Sequence, residues 1–279
     1  MNNLQEKNKH LGNILKGMGR VMVAFSGGVD SAVVLKRAQE ELGDNVLAVV
    51  VNSELFRDSE FEASVQLAEN LGVRVHQTEM KELENPDIIA NNPESWYFSK
   101  KLLYTHLNKL AEEMGYSYVL DGMIMDDEAD FRPGLKARTE EGIRSVLQEA
   151  DFYKTEVRAL AKELKLPVWD KVASCSLASR FPYGTKLNKQ IVQQVDQAEL
   201  YLKRLGFEEV RVRYHDNVAR IEVAGDKILE LLDEKEEIQN KLVSFGFDYV
   251  SVDLLGYRTG SMNEVIEQDQ WETKLSAHA

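Results

Sequence analysis

Through the first 168 residues, short apolar runs alternate with stretches whose apolar residues recur at helical spacing. Val21–Phe25 is a run of the kind that forms a strand buried on both faces, and it ends at paired glycines. Asp30–Leu42 then sets Val33, Val34, Ala38 and Leu42 at helical spacing, with Gly43 as the stop. The alternation continues with a strand at Val46–Val51, a helix at Ser59–Leu71 closed by Gly72, and a strand at Val73–His76. A long helical region follows over Asn92–Gly115, then a strand at Tyr118–Leu120 and a helix at Tyr153–Leu166 that Pro167 ends. Strands alternating with helices predict an α/β fold, a parallel sheet covered on both faces. Ligands of such sheets sit at the carboxyl ends of the strands.

After Tyr183 the pattern changes. Asn188–Leu205 reads as an amphipathic helix capped by Asn188 and ended by Gly206. Val210–Tyr214 and Val218–Val223 alternate strictly around a short polar turn, which predicts a hairpin. A helix at Asp226–Leu242 and a strand at Tyr249–Asp253 complete a smaller C-terminal α+β module. The expected organisation is a first domain over 1–168, a connecting segment over 169–184 and a second domain over 185–279. No internal repeat or low-complexity linker interrupts it.

Composition narrows the function classes. A net charge of -13 without a long basic run argues against a nucleic-acid binder. The single cysteine, Cys175, excludes a disulfide within the chain and a cysteine-rich zinc site. The polar start, Met1–His10, does not read as a signal peptide, and no apolar run approaches membrane-spanning length. A cytoplasmic, reduced protein is the expectation, with Ser276–Ala279 as a frayed tail.

Ser26-Gly27-Gly28-Val29-Asp30-Ser31 joins the first strand to the first of these helices. Glycines let the backbone approach an anion, and the N–H groups of a helix start favour phosphate. Ser26 and Ser31 add hydroxyl donors; Asp30 suits such a site if it meets a metal ion or orients the loop. A plain strand-to-helix turn capped by serine and aspartate is the bland alternative. The full loop resembles the PP-loop of the ATP pyrophosphatase superfamily, whose members split ATP between the α- and β-phosphates and attach AMP to a carboxyl or carbonyl oxygen. Lys154–Ala161 resembles a second segment of that superfamily, placed near the pyrophosphate. Lys154 falls in the first turn of a helix, electrostatically unfavourable for a cation, which favours a functional reading over a surface lysine. Asp121–Glu128 follows the fourth strand, so its carboxylates can reach the same crevice; Asp127 is the candidate for Mg²⁺, which needs only one or two protein carboxylates.

Cys175 sits in a polar segment with Ser174, Ser176 and Ser179, and Lys171 and Arg180 are near enough in sequence to favour a thiolate. The whole segment Trp169–Gly184 resembles the LarE family of ATP-dependent sacrificial sulfur transferases. The resemblance runs over nearly the whole chain and includes Asn52–Leu55, Ser95–Tyr97, Asp121–Met123, Arg132–Arg138 and Arg211–Arg213. It implies an adenine nucleotide alpha hydrolase-like PP-loop domain, ATP with Mg²⁺, and a pyridinium dicarboxylate mononucleotide as substrate. One carboxylate is adenylated, the cysteine thiolate displaces AMP, and cleavage of the cysteine Cβ–S bond leaves a thiocarboxylate and dehydroalanine. The resemblance assigns Ser53 and Gly122 to the nucleotide, and Trp96, Ser179 and Arg180 to the substrate, although Trp96 also suits an aromatic core. Relatives with three clustered cysteines bind an iron–sulfur cluster; one cysteine favours the sacrificial route.

In the predicted hairpin, Arg211 and Arg213 share one face. A turn at Asp216-Asn217 would set Arg213 opposite Arg220 and Arg211 opposite Glu222. Paired arginines are understandable around an anion, and the resemblance places a substrate phosphate there; a solvated polar face is the alternative. Glu199 lies on the apolar stripe of the helix at 188–205 and needs a partner or a metal, an arginine of the hairpin being the plain reading. The resemblance suggests a metal or substrate role for Glu199 with Glu222, and sets a further carboxylate near Glu230. It also implies a homo-oligomer acting beside other enzymes of nickel-pincer cofactor synthesis. An amidating ligase would need an amidotransferase partner or ammonia, and a transfer-RNA thiolase would need cysteine pairs and a basic surface. A non-catalytic nucleotide-binding module would not need Asp30, Ser31 and Lys154.

Overall fold

The computed structural model describes residues 3–129, 134–172 and 174–258. Chain contacts divide it into two units: the described residues of Met1–Glu82 with Glu94–Ser174, and those of Leu83–Pro93 with Cys175–Ala279.

The first unit is built on strands β1 (Val21–Ala24), β2 (Val46–Ser53), β3 (Arg74–Met80) and β4 (Tyr118–Leu120). They form an all-parallel sheet in the order β3-β2-β1-β4. Helices α1 (Asn3–Lys16), α2 (Val29–Leu42) and α3 (Asp58–Asn70) precede or alternate with the first strands. Successive strand residues feed opposite cores: Val21, Val23, Ala48 and Val50 join one with Leu11, Leu15 and Val33, while Met22, Leu47 and Val49 join another with Tyr104 and Leu107. This is why these strands read as continuous apolar runs. β3 is longer than its apolar residues predict: it lies at the sheet edge, and of its residues only Met80 is buried. α1 is not legible in the polar start; its buried side is carried by Leu4, Leu11 and Leu15.

A short helix α4 (Pro86–Ile89) belongs to the second unit, then α5 (Ser95–Met114), α6 (Gly134–Glu140), α7 (Val146–Glu149) and α8 (Lys154–Glu163) return to the first. Asn91 fixes the excursion: its side-chain amide donates to Phe181 O at 3.3 Å and Pro182 O at 3.1 Å. Its carbonyl accepts from Gly184 N at 2.9 Å, and Ile89 O accepts from Leu187 N at 2.8 Å.

The second unit continues with α9 (Lys189–Arg204), β5 (Val210–His215), β6 (Val218–Val223), α10 (Ile228–Asp233), α11 (Lys235–Ser244) and β7 (Tyr249–Val252). Asn188 caps α9 by accepting from Ile191 N at 3.1 Å. β5 and β6 are antiparallel, and β7 joins β6 in parallel. The hairpin turn holds Asp216 at φ 47 and Asn217 at φ 69, the left-handed pair that tight hairpins require. Two shorter helices, α10 and α11, stand where one helix over 226–242 is predicted. The alternative of a solvated face on β5 does not hold: Arg211 and Arg213 are buried along with Val210, Val212 and Tyr214.

Candidate active site

The parallel sheet delivers three loops to the carboxyl ends of β1, β2 and β4, with β1 lying between β2 and β4. After β1, Phe25 N donates to Val49 O at 2.9 Å and the chain turns through Ser26–Gly28 into α2. Gly27 has φ +68, and a Cβ there would stand 2.2 Å from the Ser64 hydroxyl, which itself donates to Glu60 O at 2.7 Å. A Cβ on Gly122 would stand 2.8 Å from Ser31 N. These two glycines are therefore demanded by packing. Gly28 is not: its φ is -81 and an added Cβ would make an ordinary 3.5 Å contact with Ser26 Oγ. Its bare backbone suits close approach by an anion.

The Ser26 and Ser31 hydroxyls lie 3.2 Å apart, and Ser31 donates to Gly28 O at 3.2 Å. Lys154, the first residue of α8, donates to both Asp30 oxygens at 2.9 and 2.7 Å. Its backbone N–H donates to Asp126 Oδ2 at 2.8 Å. A cation at this helix start is thus held by carboxylates that offset the unfavourable dipole. Lys171 donates to Glu60 Oε2 at 2.7 Å and Gly27 O at 3.4 Å, so it braces the loop.

Asp121 and Asp127 are both buried. Asp121 accepts from the Tyr104 hydroxyl at 2.9 Å and the Ser145 hydroxyl at 2.6 Å, and Asp127 accepts from Ile124 N at 2.9 Å. Trp96 is partly buried in the first turn of α5. Arg132 and Pro133 of the predicted motif lie outside the described residues, as does Ser276–Ala279.

At the end of β2, Ser53 donates to Glu82, which also accepts from Ser99 at 2.5 Å. Sequence reasoning missed Glu82, whose charged neighbours gave no sign of its complete burial. Burial pushes its carboxyl above the ordinary value, against hydroxyl donors that favour the charged form. The folded chain therefore holds this proton to higher pH than the unfolded chain. The linked stability is complete below the ordinary carboxylate range and is lost as pH rises through the raised value. Glu82→Gln is expected to flatten this decline, measured by urea denaturation at about pH 5 and about pH 7. An unchanged slope would locate the proton elsewhere.

In the second unit Cys175 is exposed, while the turn after it is buried. Ser176 accepts from Ala178 N at 3.3 Å, and Ser179 donates to Ser176 O at 2.8 Å. The Arg180 guanidinium reaches the Cys175 carbonyl oxygen at 3.3 Å. Its other nitrogens form a fork with Glu199 at 2.9 and 3.2 Å. Glu199 thus has the partner its place on an apolar stripe demands, but that partner is Arg180 of the connecting segment and not an arginine of the hairpin. Glu199 also accepts from Val212 N at 2.9 Å, which ties the fork to β5.

The register sets Arg213 opposite Arg220 and Arg211 opposite Glu222. Arg213 and Arg220 share a carboxylate of the chain itself: Glu222 accepts from Arg213 at 2.9 and 2.7 Å and from Arg220 at 3.0 Å. Arg213 also donates to Ser179 O at 2.7 Å. Arg211 is 7% exposed, donates to Val210 O at 2.9 Å and lies 5.0 Å over the Tyr257 ring. Among the described residues no carboxylate is paired with it. Glu199 and Glu222 are wholly buried on arginines, and Glu230 is exposed on Lys227 at 2.6 Å. Among the described residues no group of three or more His, Cys, Asp or Glu is arranged to hold a metal ion.

A family model described as NAD synthase matches residues 4–91. The chain is 52% identical to the pyridinium-3,5-bisthiocarboxylic acid mononucleotide synthase of Lactiplantibacillus plantarum, over 98% of this chain and 99% of that one. It is 39% identical to an uncharacterized protein of Synechocystis over 94% of this chain and 99% of the other. One component of the glutamine-hydrolyzing GMP synthase of Sulfurisphaera tokodaii is 30% identical over 53% of this chain and 44% of its own length.

Proposed function

The chain belongs to the LarE family, and from that premise we propose how its two units divide an ATP-dependent sulfur transfer. The enzyme adenylates a carboxylate of a pyridinium dicarboxylate mononucleotide and transfers sulfur to it from its own cysteine, in nickel-pincer nucleotide synthesis. The observation that carries the reading is an exposed cysteine, the chain's only one, in a protein with an adenylating loop.

The first unit, 1–168 in functional terms, binds ATP. Backbone N–H groups of Ser26–Gly28, the hydroxyls of Ser26 and Ser31, and Lys154 receive the phosphates, with Ser53 and Gly122 at the neighbouring strand ends. Asp30 is partly exposed and fits a Mg²⁺ site of the kind that takes one protein carboxylate and phosphate oxygens. The ion would neutralise phosphate charge there, and Asp127 would support its loop. The second unit holds the substrate. Arg211, buried and paired with no carboxylate among the described residues, supports a phosphate subsite with Arg213, and Glu199 and Glu222 orient the arginines. Ser179 and Arg180 border the substrate in this reading, and the role of Trp96 toward it rests on the family resemblance alone. Cys175 attacks the adenylated carboxyl, AMP leaves, and later rupture of the Cβ–S bond leaves a thiocarboxylate.

Among the described residues no helix is long and apolar enough to cross a membrane. The reading places the enzyme in the cytoplasm with other nickel-pincer enzymes. Exposed Leu229, Tyr249, Leu254 and Leu255 support self-association into a homo-oligomer.

Pyrophosphate release from ATP should require the dicarboxylate nucleotide. Arg211→Ala should weaken that substrate by about 1.5–3 kcal/mol, roughly ten- to a hundredfold, with ATP affinity nearly unchanged. Titration calorimetry with each ligand checks this. Release that ignores the dicarboxylate, or equal loss of both affinities, would overturn the assignment.

A further inference from the structure

We propose that Arg180 is a catalytic residue of sulfur release, stabilising negative charge on the Cys175 carbonyl oxygen as the Cα proton leaves. The inference rests on the sulfur-transfer reading and deepens it.

The Cys175 thiol is exposed, but its carbonyl oxygen is met by a guanidinium that is 2% exposed. The same Arg180 nitrogen donates to Ser176 O at 3.2 Å and Ser179 Oγ at 2.7 Å. Rotation of that group is prevented by the fork to Glu199, which Val212 N holds from β5. A buried arginine pair contributes little net stability over apolar packing, so stability alone does not account for it. Its aim at the peptide carbonyl of the one cysteine has a chemical use.

Once the thioester has formed, the Cys175 side chain links sulfur to the substrate acyl carbon. Breaking the Cβ–S bond heterolytically requires loss of the Cα proton to a base; water satisfies the proton balance. The C–H electron pair moves into the Cα–carbonyl system, and charge gathers on the Cys175 oxygen. Collapse of this enolate forms the Cα=Cβ bond, and the Cβ–S pair departs on sulfur as the thiocarboxylate. Nothing is oxidised or reduced overall, and dehydroalanine remains. The ground-state contact of 3.3 Å is long for a hydrogen bond. It strengthens as the oxygen gains charge, and catalysis depends on that difference. The role differs from thiolate activation, because the guanidinium faces the carbonyl.

The test follows the full chain by rapid-quench intact mass after mixing with ATP, Mg²⁺ and the dicarboxylate nucleotide. Three states are distinguishable: unreacted protein, acyl-linked protein, and protein lacking the elements of H₂S. In Arg180→Lys the acyl-linked state should accumulate, with its decay slowed about 10²–10³-fold, the effect of losing one preorganised donor. The double variant Arg180→Gln, Glu199→Gln keeps a neutral hydrogen-bonded pair and should behave likewise if the single variant does not fold. Deuterium at the Cys175 Cα should slow decay further in both proteins, which identifies Cα–H cleavage as the step followed; a purely structural loss at Arg180 would instead lower formation of the acyl-linked state together with its decay. Unchanged decay in a folded variant, or a folded variant that never forms the acyl link, would overturn the role of Arg180. Pyrophosphate release by the parent protein without any acyl-linked or sulfur-depleted state would instead overturn the sulfur-transfer reading.

Discussion

Each chain is expected to deliver at most one sulfur, and Cys175→Ala none, while the alanine variant still releases pyrophosphate. Adenylation gives the substrate carboxyl a good leaving group, and the proposed reading assigns it to Ser26, Asp30, Ser31 and Lys154 of the first unit. Removing the thiol leaves those residues untouched. Cys175 is exposed, so its truncation leaves no core cavity, and stability should change by less than about 0.5 kcal/mol. The activated acyl group then goes to water or stays bound. Quantifying thiocarboxylate against chain concentration, with intact mass of the spent protein, checks both statements. Many sulfurs per chain without an added donor, or sulfur transfer by the alanine variant, would exclude the sacrificial route.

Lys154→Met should lower the rate of pyrophosphate release by about two to three orders of magnitude, as expected for loss of one preorganised donor to a developing charge. The magnitude separates function from stability. The Asp30–Lys154 pair is partly exposed, with side chains 25% and 34% accessible, so breaking it costs no more than about 1 kcal/mol of folding free energy. Asp30→Asn should likewise impair release in a folded protein. Measuring pyrophosphate release alongside thermal unfolding settles each case; full activity with either variant would remove the pair from the phosphate site.

The first unit was legible because its strands are buried on both faces and its loops end in glycine. Val21–Phe25 followed by Gly27 and Gly28 announces the strand, turn and helix at once. The partner of Lys154 was not legible, since Asp30 lies far from it in sequence and only the sheet brings them together. The hairpin register was readable from alternation and the Asp216-Asn217 turn. Its burial was not, because Arg211 and Arg213 resemble surface residues until Glu222, the Ser179 carbonyl and Tyr257 are placed around them. The fate of Glu199 shows the same limit: an acid on an apolar stripe signals a partner, and only the fold identifies Arg180. Asn91 gives no sequence sign that it docks on Phe181 and Pro182.

That last feature bears on how the chain matures during synthesis. Residues 83–93 leave the ribosome well before Cys175, yet they belong to the same compact unit. At about 5–20 residues per second, Asn91 waits roughly 4.5–18 s for the turn at Phe181 and Pro182 to be made. A nascent chain halted at Ser174 would hold the ATP loop and an orphaned peptide whose Asn91 amide lacks its carbonyl partners. The first unit is thus interrupted in sequence by a peptide that completes its own fold only once the segment carrying Cys175 has been made.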